Sequence, residues 1–221
     1  SDLTSTFIPA KEILSNAYNL NAAVEKNNVS FDDTYLDIVN SAKIDISVGK
    51  NAATRQTMLN KIERIIEGKV FFDATRDEFY LKHSNSKLEF NLVAEGIRKI
   101  ALIWQLVKNG TLEKGSVLFW DEPEANINPV HIPIIVEMLL ELQRNGVQIF
   151  VATHDYILAK YIEIKSKNDD CVTFFSLFDQ GEAVGCESNH RFSNLKNNAI
   201  MSAFDELLDE VYKEQVTSDG K

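Results

Sequence analysis

The sequence predicts an α/β fold in which parallel strands are flanked by helices. Two short apolar runs, residues 117–120 (Val-Leu-Phe-Trp) and 147–152, show no alternation of polar and apolar residues, as is typical of buried strands in a parallel sheet. Helical patterns precede, separate and follow these runs between residues 94 and 178. Strands that alternate with helices in this way indicate a parallel α/β layer.

The region before this layer has a different character. Residues 1–68 form a predicted helical region with three helices, at residues 9–28, 31–42 and 54–67. Pro9 suits the first turn of the first helix, and Gly68 ends the third. Residues 69–91 contain three short β-like runs separated by turn residues, which predicts a small antiparallel meander.

Residues 92–213 form the predicted core. Its helices and strands are expected, in chain order, at residues 94–108, 117–120, 132–144, 147–152, 156–164, 172–178 and 199–213. A turn at Gln180-Gly181 is expected to lead into a weaker edge strand near Val184. Residues 214–221 are predicted to be a flexible tail.

Composition narrows the class of protein. The 221 residues carry a formal net charge of −10, which disfavours a chain-wide electrostatic grip on nucleic acid. No apolar stretch approaches the ~20 residues that span a bilayer, and the first residues lack the pattern of a signal peptide. Cys171 and Cys186 have no disulfide-framework or metal-site spacing. We expect a cytoplasmic protein without membrane contact.

The strongest chemical signal is a pair of carboxylates at the end of an apolar strand. Asp121 and Glu122 follow the run 117–120, and His154 follows the run 147–152. If the two strands are neighbours, the three side chains share the carboxyl rim of the sheet, where open α/β sheets bind ligands. Asp121 then suits Mg²⁺, and Glu122 suits a base that activates water.

These residues resemble the motifs of ABC-type ATPases of the RecF, SMC and OLD-like group. Residues 117–122 match the Walker B motif, residues 123–129 (Pro-Glu-Ala-Asn-Ile-Asn-Pro) resemble the D-loop, and residues 152–155 match the switch-histidine segment. Residues 92–99 (Leu-Val-Ala-Glu-Gly-Ile-Arg-Lys) look like the signature motif. The four motifs occur in the family's order, and together they are specific.

The resemblance implies a P-loop NTPase-like core that binds ATP and Mg²⁺ in a head-to-tail homodimer. Asp121 would bind the metal, Glu122 would be the general base, and His154 would contact the γ-phosphate. The signature and D-loop residues of one subunit would face the nucleotide of the other; these are Ala94, Glu95, Gly96, Asn126 and Asn128. ATP binding would close the dimer and hydrolysis would open it.

Two departures from the family pattern stand out. Ala94 occupies the position where the signature usually begins with serine. No G-x-x-x-x-G-K-[ST] P-loop is present, because Gly49-Lys50 is followed by Asn51 and Gly68-Lys69 by Val70. Residues 6–10 resemble the strand that leads from the first lobe of OLD-like proteins. The chain therefore resembles the C-terminal part of a longer ATPase, expected to hydrolyse little ATP by itself.

Other interpretations stay open at this level. The chain could be a non-catalytic interaction module derived from an ATPase. Asn126 and Asn128 could be simple turn residues. Arg98 and Lys99 are expected to be surface charges, and contact with nucleotide phosphate is the alternative for them. The effector is open: by family analogy it is DNA, or a partner protein in phage defence or a toxin-type system.

Overall fold

The computed structural model describes residues 4–18, 20, 24, 26, 32–44, 53–83 and 86–218. These residues divide into two compact units, Ser1–Thr153 and His154–Lys221. The P-loop-like pair Gly49-Lys50 lies outside the described residues, as does most of the second half of the predicted helix at residues 9–28.

A three-stranded parallel sheet forms the centre of the first unit. Its strands are β1 (Ser5–Ile8), β5 (Val117–Asp121) and β6 (Gln148–Ala152), in the order β1-β5-β6. Trp120 pairs with Val151, and Asp121 with Ala152. The predicted α/β class, with a parallel sheet flanked by helices, is confirmed, and the two predicted strands are direct neighbours.

The two faces of this sheet differ in exposure. Leu118 and Trp120 are 0% and 1% exposed and belong to the core. On the opposite face, three residues that are paired across the strands form what we call the phenylalanine row: Phe7, Phe119 and Phe150, exposed by 40%, 39% and 47%. The rings of Phe119 and Phe150 stack at 4.9 Å. The prediction that these strands are fully buried is therefore wrong for one face.

Four α-helices whose bounds lie within the described ranges accompany the sheet in this unit. They are α1 (Asp33–Lys43), α2 (Ala53–Ile65), α3 (Glu95–Lys108) and α4 (Ile132–Arg144). Helix α3 is central: Ile103, Leu106 and Val107 are fully buried. Its carboxyl end is tied to α1, because Gln105 donates to the carbonyl of Ala42 at 2.9 Å and Asn109 to that of Ser41 at 2.8 Å. The bond to Ala42 satisfies a carbonyl of the last turn of α1, and the Ser41 carbonyl also accepts from the amide of Ile44 at 3.4 Å.

The first half of the predicted helix at residues 9–28 is corrected. Between Pro9 and Tyr18 only a short 3-10 turn forms, Leu14–Asn16. The Glu12 carboxylate accepts a hydrogen bond from the amide of Ser15 at 3.2 Å and also binds Arg98. A buried ion pair thus fixes this segment in an irregular path, which outweighs its helical apolar spacing.

The predicted antiparallel meander is present. Its strands are β2 (Lys69–Asp73), β3 (Glu78–Lys82) and β4 (Lys87–Glu89), in the order β2-β3-β4. Asp73 accepts hydrogen bonds from Thr75 and Lys87, and these bonds lower the pKa of Asp73 to about 2. The carboxylate therefore closes the turn between β2 and β3 over the whole physiological pH range.

The second unit contains helices and a hairpin. Its elements are α5 (Tyr156–Lys165), β7 (Phe174–Asp179), β8 (Val184–Asn189) and α6 (Ala199–Ser218). We expected a weaker edge strand near Val184, and β8 is that strand. We also expected residues 172–178 to extend the parallel layer, but β7 pairs antiparallel with β8 in a separate two-stranded sheet. Gly181, at φ +90°, forms the tight turn that this hairpin requires.

The second unit also corrects the end of the chain. Helix α6 continues to Ser218, past residue 213 where we expected it to end. Tyr156 stacks on Phe204 of α6 at 3.8 Å, so the ring at the start of α5 packs on this helix. In the described ranges, no helix is both long and apolar enough to cross a membrane.

Candidate functional site

The predicted Walker B carboxylates lead into a turn of unusual backbone geometry, which we call the 122–128 turn. Glu122 and Asn126 have positive φ angles of 44° and 61°. The amide of Ala125 donates to the carbonyl of Glu122, and that of Ile127 to Glu124, both at 3.0 Å. A left-handed backbone costs about 1–2 kcal/mol at a residue with a side chain, so the surrounding contacts must hold it.

Strand β6 provides the first of these contacts. The amide of Glu122 donates to the carbonyl of Ala152 at 2.9 Å, which extends the ladder between β5 and β6 by one residue. The hydroxyl of Thr153 donates to the carboxylate of Glu124 at 2.6 Å. The carboxyl ends of the two strands therefore meet at one rim, as the sequence predicts.

Helix α3 provides the second contact, through the predicted signature residues. Asn126 donates from its amide to the carboxylate of Glu95 at 3.0 Å. Gly96 is buried, and a Cβ atom there would lie 2.7 Å from the carbonyl oxygen of Asn126 and 3.0 Å from Cα of Ile127. Only glycine allows this approach, so the structure brings the predicted signature and D-loop segments into direct contact.

The third contact comes from Lys99, which the sequence analysis placed at the surface. Lys99 is 1% exposed, and its ammonium group donates to the carbonyls of Ala125 at 2.9 Å and Glu122 at 3.3 Å. Burial lowers the pKa of Lys99, and the charges of Glu95, Glu124 and Glu122 oppose that shift. The prediction of a surface charge is wrong.

Arg98 is also half-buried rather than a surface charge, so the expectation for it is wrong. Its Nε donates to the carboxylate of Glu12 at 2.5 Å, and its Nη1 donates to the carbonyls of Phe90, at 3.2 Å, and Val93. The side chain of Glu12 is 1% exposed. Arg98 therefore fixes the chain that enters α3, rather than facing solvent.

A signal for Lys99 exists in the sequence. Lys99 lies three residues after Gly96 and four before Ile103, both of which are buried on α3. A lysine on the apolar stripe of a helix is expected to reach a polar partner with its ammonium group, since an unpaired buried charge is costly. Helical spacing therefore indicates Lys99, but the identity of its partners depends on the tertiary structure.

The two carboxylates at the strand end suit Mg²⁺, an ion that does not need all of its ligands from the protein. Asp121 and Glu122 are half-buried. Within the described ranges, no cluster of three or more His, Cys, Asp or Glu side chains is arranged to hold a metal ion. Mg²⁺ commonly binds one or two protein carboxylates and completes its shell with phosphate oxygens and water. The donor set therefore fits Mg²⁺ bound together with a nucleotide.

The remaining predicted site residues lie in three different settings. Asn128 is exposed, and its side-chain oxygen accepts from the amide of Val130 at 3.1 Å, a local capping contact. Ala94 is exposed at the N-cap of α3. His154 is exposed and is the first residue of the second unit, two residues after β6 ends. Its role as a switch stays a prediction.

Ala94 gives a prediction about helix α3. No side chain caps the start of this helix, because alanine stands at its N-cap. We expect Ala94→Ser to accept a hydrogen bond from an amide of the first turn and to raise the free energy of unfolding by about 0.5–1 kcal/mol. Urea unfolding measures the change. Ala94→Val supplies no acceptor and is the control; equal stability of the two variants would contradict the prediction.

Two solved structures that contain SMC head domains are similar to this chain. The chain is similar to the Smc head domain of Pyrococcus furiosus bound to the C-terminal domain of ScpA (8% identity, TM-score 0.45). It is also similar to an SmcHead bound to the C-winged helix domain of ScpA (10% identity, TM-score 0.47). The matches cover 87% and 80% of this chain and 42% and 48% of the solved chains. The chain thus spans less than half the length of either.

No curated protein matches the chain. The family described as "AAA domain, putative AbiEii toxin, Type IV TA system" matches residues 15–159, which are 145 of the 221 residues. This range contains helix α3, Asp121 at the end of β5, the 122–128 turn with Glu122, and His154. The chain belongs to this family of AAA domains, which are ATPase-type modules.

Proposed function

We propose that this chain is the ATP-binding and ATP-hydrolysing switch domain of an ATPase of the RecF, SMC and OLD-like group. The observation that carries the proposal is the 122–128 turn at the carboxyl rim of the sheet. There β6 and Lys99 bond the left-handed backbone of Glu122, and Gly96 lies against Asn126. Strained backbone that several contacts maintain is typical of functional sites. A simple connection between β5 and α4 would not need it.

In this proposal the carboxylates have separate tasks. Asp121 holds the Mg²⁺ that accompanies ATP, and the metal supplies neutralisation of phosphate charge. Glu122 accepts the proton of the water that attacks the γ-phosphate. His154 contacts the γ-phosphate and responds to its loss. The family membership and the half-buried strand-end position of both carboxylates support these assignments.

The signature and D-loop residues act across a homodimer in this proposal. Ala94, Glu95 and Gly96 present the amino end of α3 to the nucleotide of the partner subunit, where backbone amides favour a phosphate. Asn126 and Asn128 line the same interface. The direct contact between the Gly96 and Asn126 segments supports one shared surface. ATP binding closes this dimer and hydrolysis opens it.

The exposed phenylalanine row is an argument for a further lobe that covers this face and carries the P-loop. Parallel sheets are normally covered on both faces, yet Phe7, Phe119 and Phe150 are each about 40% exposed or more. The 221 residues contain no P-loop sequence. A lobe that packs on this face would bury the row and would hold the phosphates of ATP beside Asp121. Without that lobe, the chain is expected to hydrolyse ATP very slowly.

The effector belongs to the proposal only in outline. The family description names a toxin of a type IV toxin–antitoxin system, and this agrees with an ATPase that drives an effector in phage defence or a toxin-type system. A second possible effector is DNA, although the net charge of −10 requires that contact to be local.

Asp121→Asn in the full-length protein tests the proposal. Removing the charge of the Mg²⁺ ligand is expected to lower ATP turnover by at least ~100-fold, since a metal supplies several kcal/mol of charge stabilisation. Phosphate release in the presence of Mg²⁺ measures the rate. Asp179→Asn is the matched control, because Asp179 also ends a strand and its Oδ1 accepts from Gly181.

The outcomes separate the proposal from its rival. A loss in the Asp121 variant, with the Asp179 variant within about 2-fold of wild type, supports an ATPase. If wild-type full-length protein releases no phosphate from ATP, the chain is a non-catalytic interaction module derived from an ATPase. Equal turnover of both variants and wild type would show that Asp121 does not bind the metal.

A further inference from the structure

Lys99 is the one buried cation on α3 that the proposed function leaves without a task. Its ammonium group lies among backbone oxygens of the 122–128 turn, at 2.9 Å from the carbonyl of Ala125 and 3.3 Å from that of Glu122. Its pKa is lowered by burial, but four glutamates near it favour the charged form. Charged donors form stronger hydrogen bonds to carbonyls than neutral ones do.

These two carbonyls belong to the part of the turn that needs support. The Glu122 carbonyl also accepts a hydrogen bond from the amide of Ala125. Lys99 therefore binds the carbonyls at both ends of this tight turn. This turn starts at Glu122, where φ is 44°. Lys99 bonds backbone carbonyls of the turn, one of them that of the strained Glu122, and through them it can set the direction of the Glu122 carboxylate.

Lys99 also joins two segments that the sequence separates. It belongs to the second turn of α3, and Gly96, one turn earlier, contacts the carbonyl of Asn126. The first turns of α3 and the 122–128 turn are therefore held together at three points: the Asn126–Glu95 hydrogen bond, the close approach at Gly96 and the hydrogen bonds of Lys99.

We propose that Lys99 is a positioning residue: it locks the 122–128 turn to helix α3, so that the Glu122 carboxylate and the signature turn move as one body. The inference rests on the proposed function, in which Glu122 is the base. A displacement of α3 at a dimer interface would then be transmitted directly to Glu122. Removal of Lys99 would leave nucleotide binding intact but would misdirect the base.

Lys99→Met in the full-length protein tests this inference. Methionine has a similar length and volume and no charge, so it fills the space of the Lys99 side chain without donating to either carbonyl. We expect kcat for ATP hydrolysis to fall about 10–100-fold, the range found when groups that orient functional residues are removed, while KM changes less than about 3-fold. Lys99→Arg should restore a large part of kcat. Lys108→Met, on the same helix, is the control and should behave as wild type.

A double variant shows whether Lys99 acts through Glu122. Adding Lys99→Met to Glu122→Gln should lower turnover by less than about 2-fold more, because residues that act as a unit are not additive. Additive losses, or a change confined to KM, would overturn the inference. If Glu122→Gln alone turned over ATP as wild type does, the proposed function would fail as well. If only Lys99→Met had wild-type kcat, the inference alone would fail.

Amide hydrogen exchange gives a readout that does not depend on activity. In the Lys99→Met variant, a peptide covering residues 122–128 should exchange about 10-fold faster or more, while peptides of the β2–β4 meander stay unchanged. Unchanged exchange at residues 122–128 would contradict the proposal that Lys99 fixes this turn to α3. If the methionine variant does not fold, Lys99→Gln, which keeps a shorter donor, takes its place with smaller effects in the same direction.

Discussion

Replacing Glu122 by glutamine in the full-length protein is expected to lower ATP turnover by about 10²–10⁴-fold, the contribution of a well-placed general base. Glutamine has nearly the same shape, and its amide cannot accept the proton of the attacking water. The backbone contacts of Glu122 to Ala152, Ala125 and Lys99 stay the same, so the turn is preserved. ATP binding should therefore continue, and the ATP-bound dimer should accumulate.

Two measurements check this result together. Phosphate release gives turnover, and sedimentation with ATP and Mg²⁺ gives the fraction of dimer. Glu89→Gln is the matched control: Glu89 is exposed and ends strand β4. It should change neither quantity. Equal turnover of the Glu122 variant and wild type would show that Glu122 is not the base. Slow turnover without a trapped dimer would support Glu122 as the general base but would contradict the proposed ATP-dependent dimerisation.

Replacing Arg98 by alanine is expected to lower the free energy of unfolding by about 3–5 kcal/mol, because it leaves the carboxylate of Glu12 buried without its cation. The pair is short, at 2.5 Å, and the side chains of Arg98 and Glu12 are 14% and 1% exposed. Arg98 also donates to the carbonyls of Phe90 and Val93, which lose a partner in the variant. Since whole domains are stable by about 5–15 kcal/mol, this is a large part of the total.

Urea unfolding checks the stability of the Arg98 variant. Arg55→Ala is the control, because the Arg55–Glu113 pair is longer, at 3.4 Å, and its side chains are 25% and 60% exposed. Such exposed pairs contribute about 1 kcal/mol or less. The double variant Glu12→Leu, Arg98→Met should regain most of the lost stability, since it removes both charges. A loss in Arg98→Ala no larger than that in Arg55→Ala would refute the buried-pair explanation.

Much of the fold follows from local sequence. The bounds of α4, predicted at residues 132–144, agree with the structure at both ends, because apolar spacing and the Asn145-Gly146 stop act within the helix itself. The meander and the two adjacent parallel strands were also predictable from short runs and turn residues. Such features depend on neighbours in the chain, which the sequence displays directly.

The corrections have a common physical cause in long-range contacts. Arg98 and Lys99 were expected to be surface charges. Instead, Arg98 binds Glu12, 86 residues away in the sequence, and Lys99 binds the carbonyl of Ala125, 26 residues away. The strand at residues 172–178 has the pattern of a parallel strand but pairs with β8. Neither the partner of a buried charge nor the partner of a strand can be deduced from periodicity.

The reactive side chains of the candidate site could be predicted from the sequence, but the contacts that hold them in place could not. Asp121 and Glu122 follow from the position of carboxylates after an apolar strand. Residues Glu95, Gly96 and Asn126 were known only by resemblance, and the structure adds that they contact one another. The left-handed backbone at Glu122 gave no sequence signal, because glutamate is not a residue that favours that conformation.

The phenylalanine row also has a consequence for handling the chain in solution. Three aromatic rings lie side by side on adjacent strands, and two of them stack. Water contacts this apolar surface whenever the chain is prepared by itself, so the solubility of the isolated chain is expected to be limited by association through this face. A single polar residue in place of Phe150 would improve the behaviour of samples for spectroscopy without altering either carboxylate of the rim.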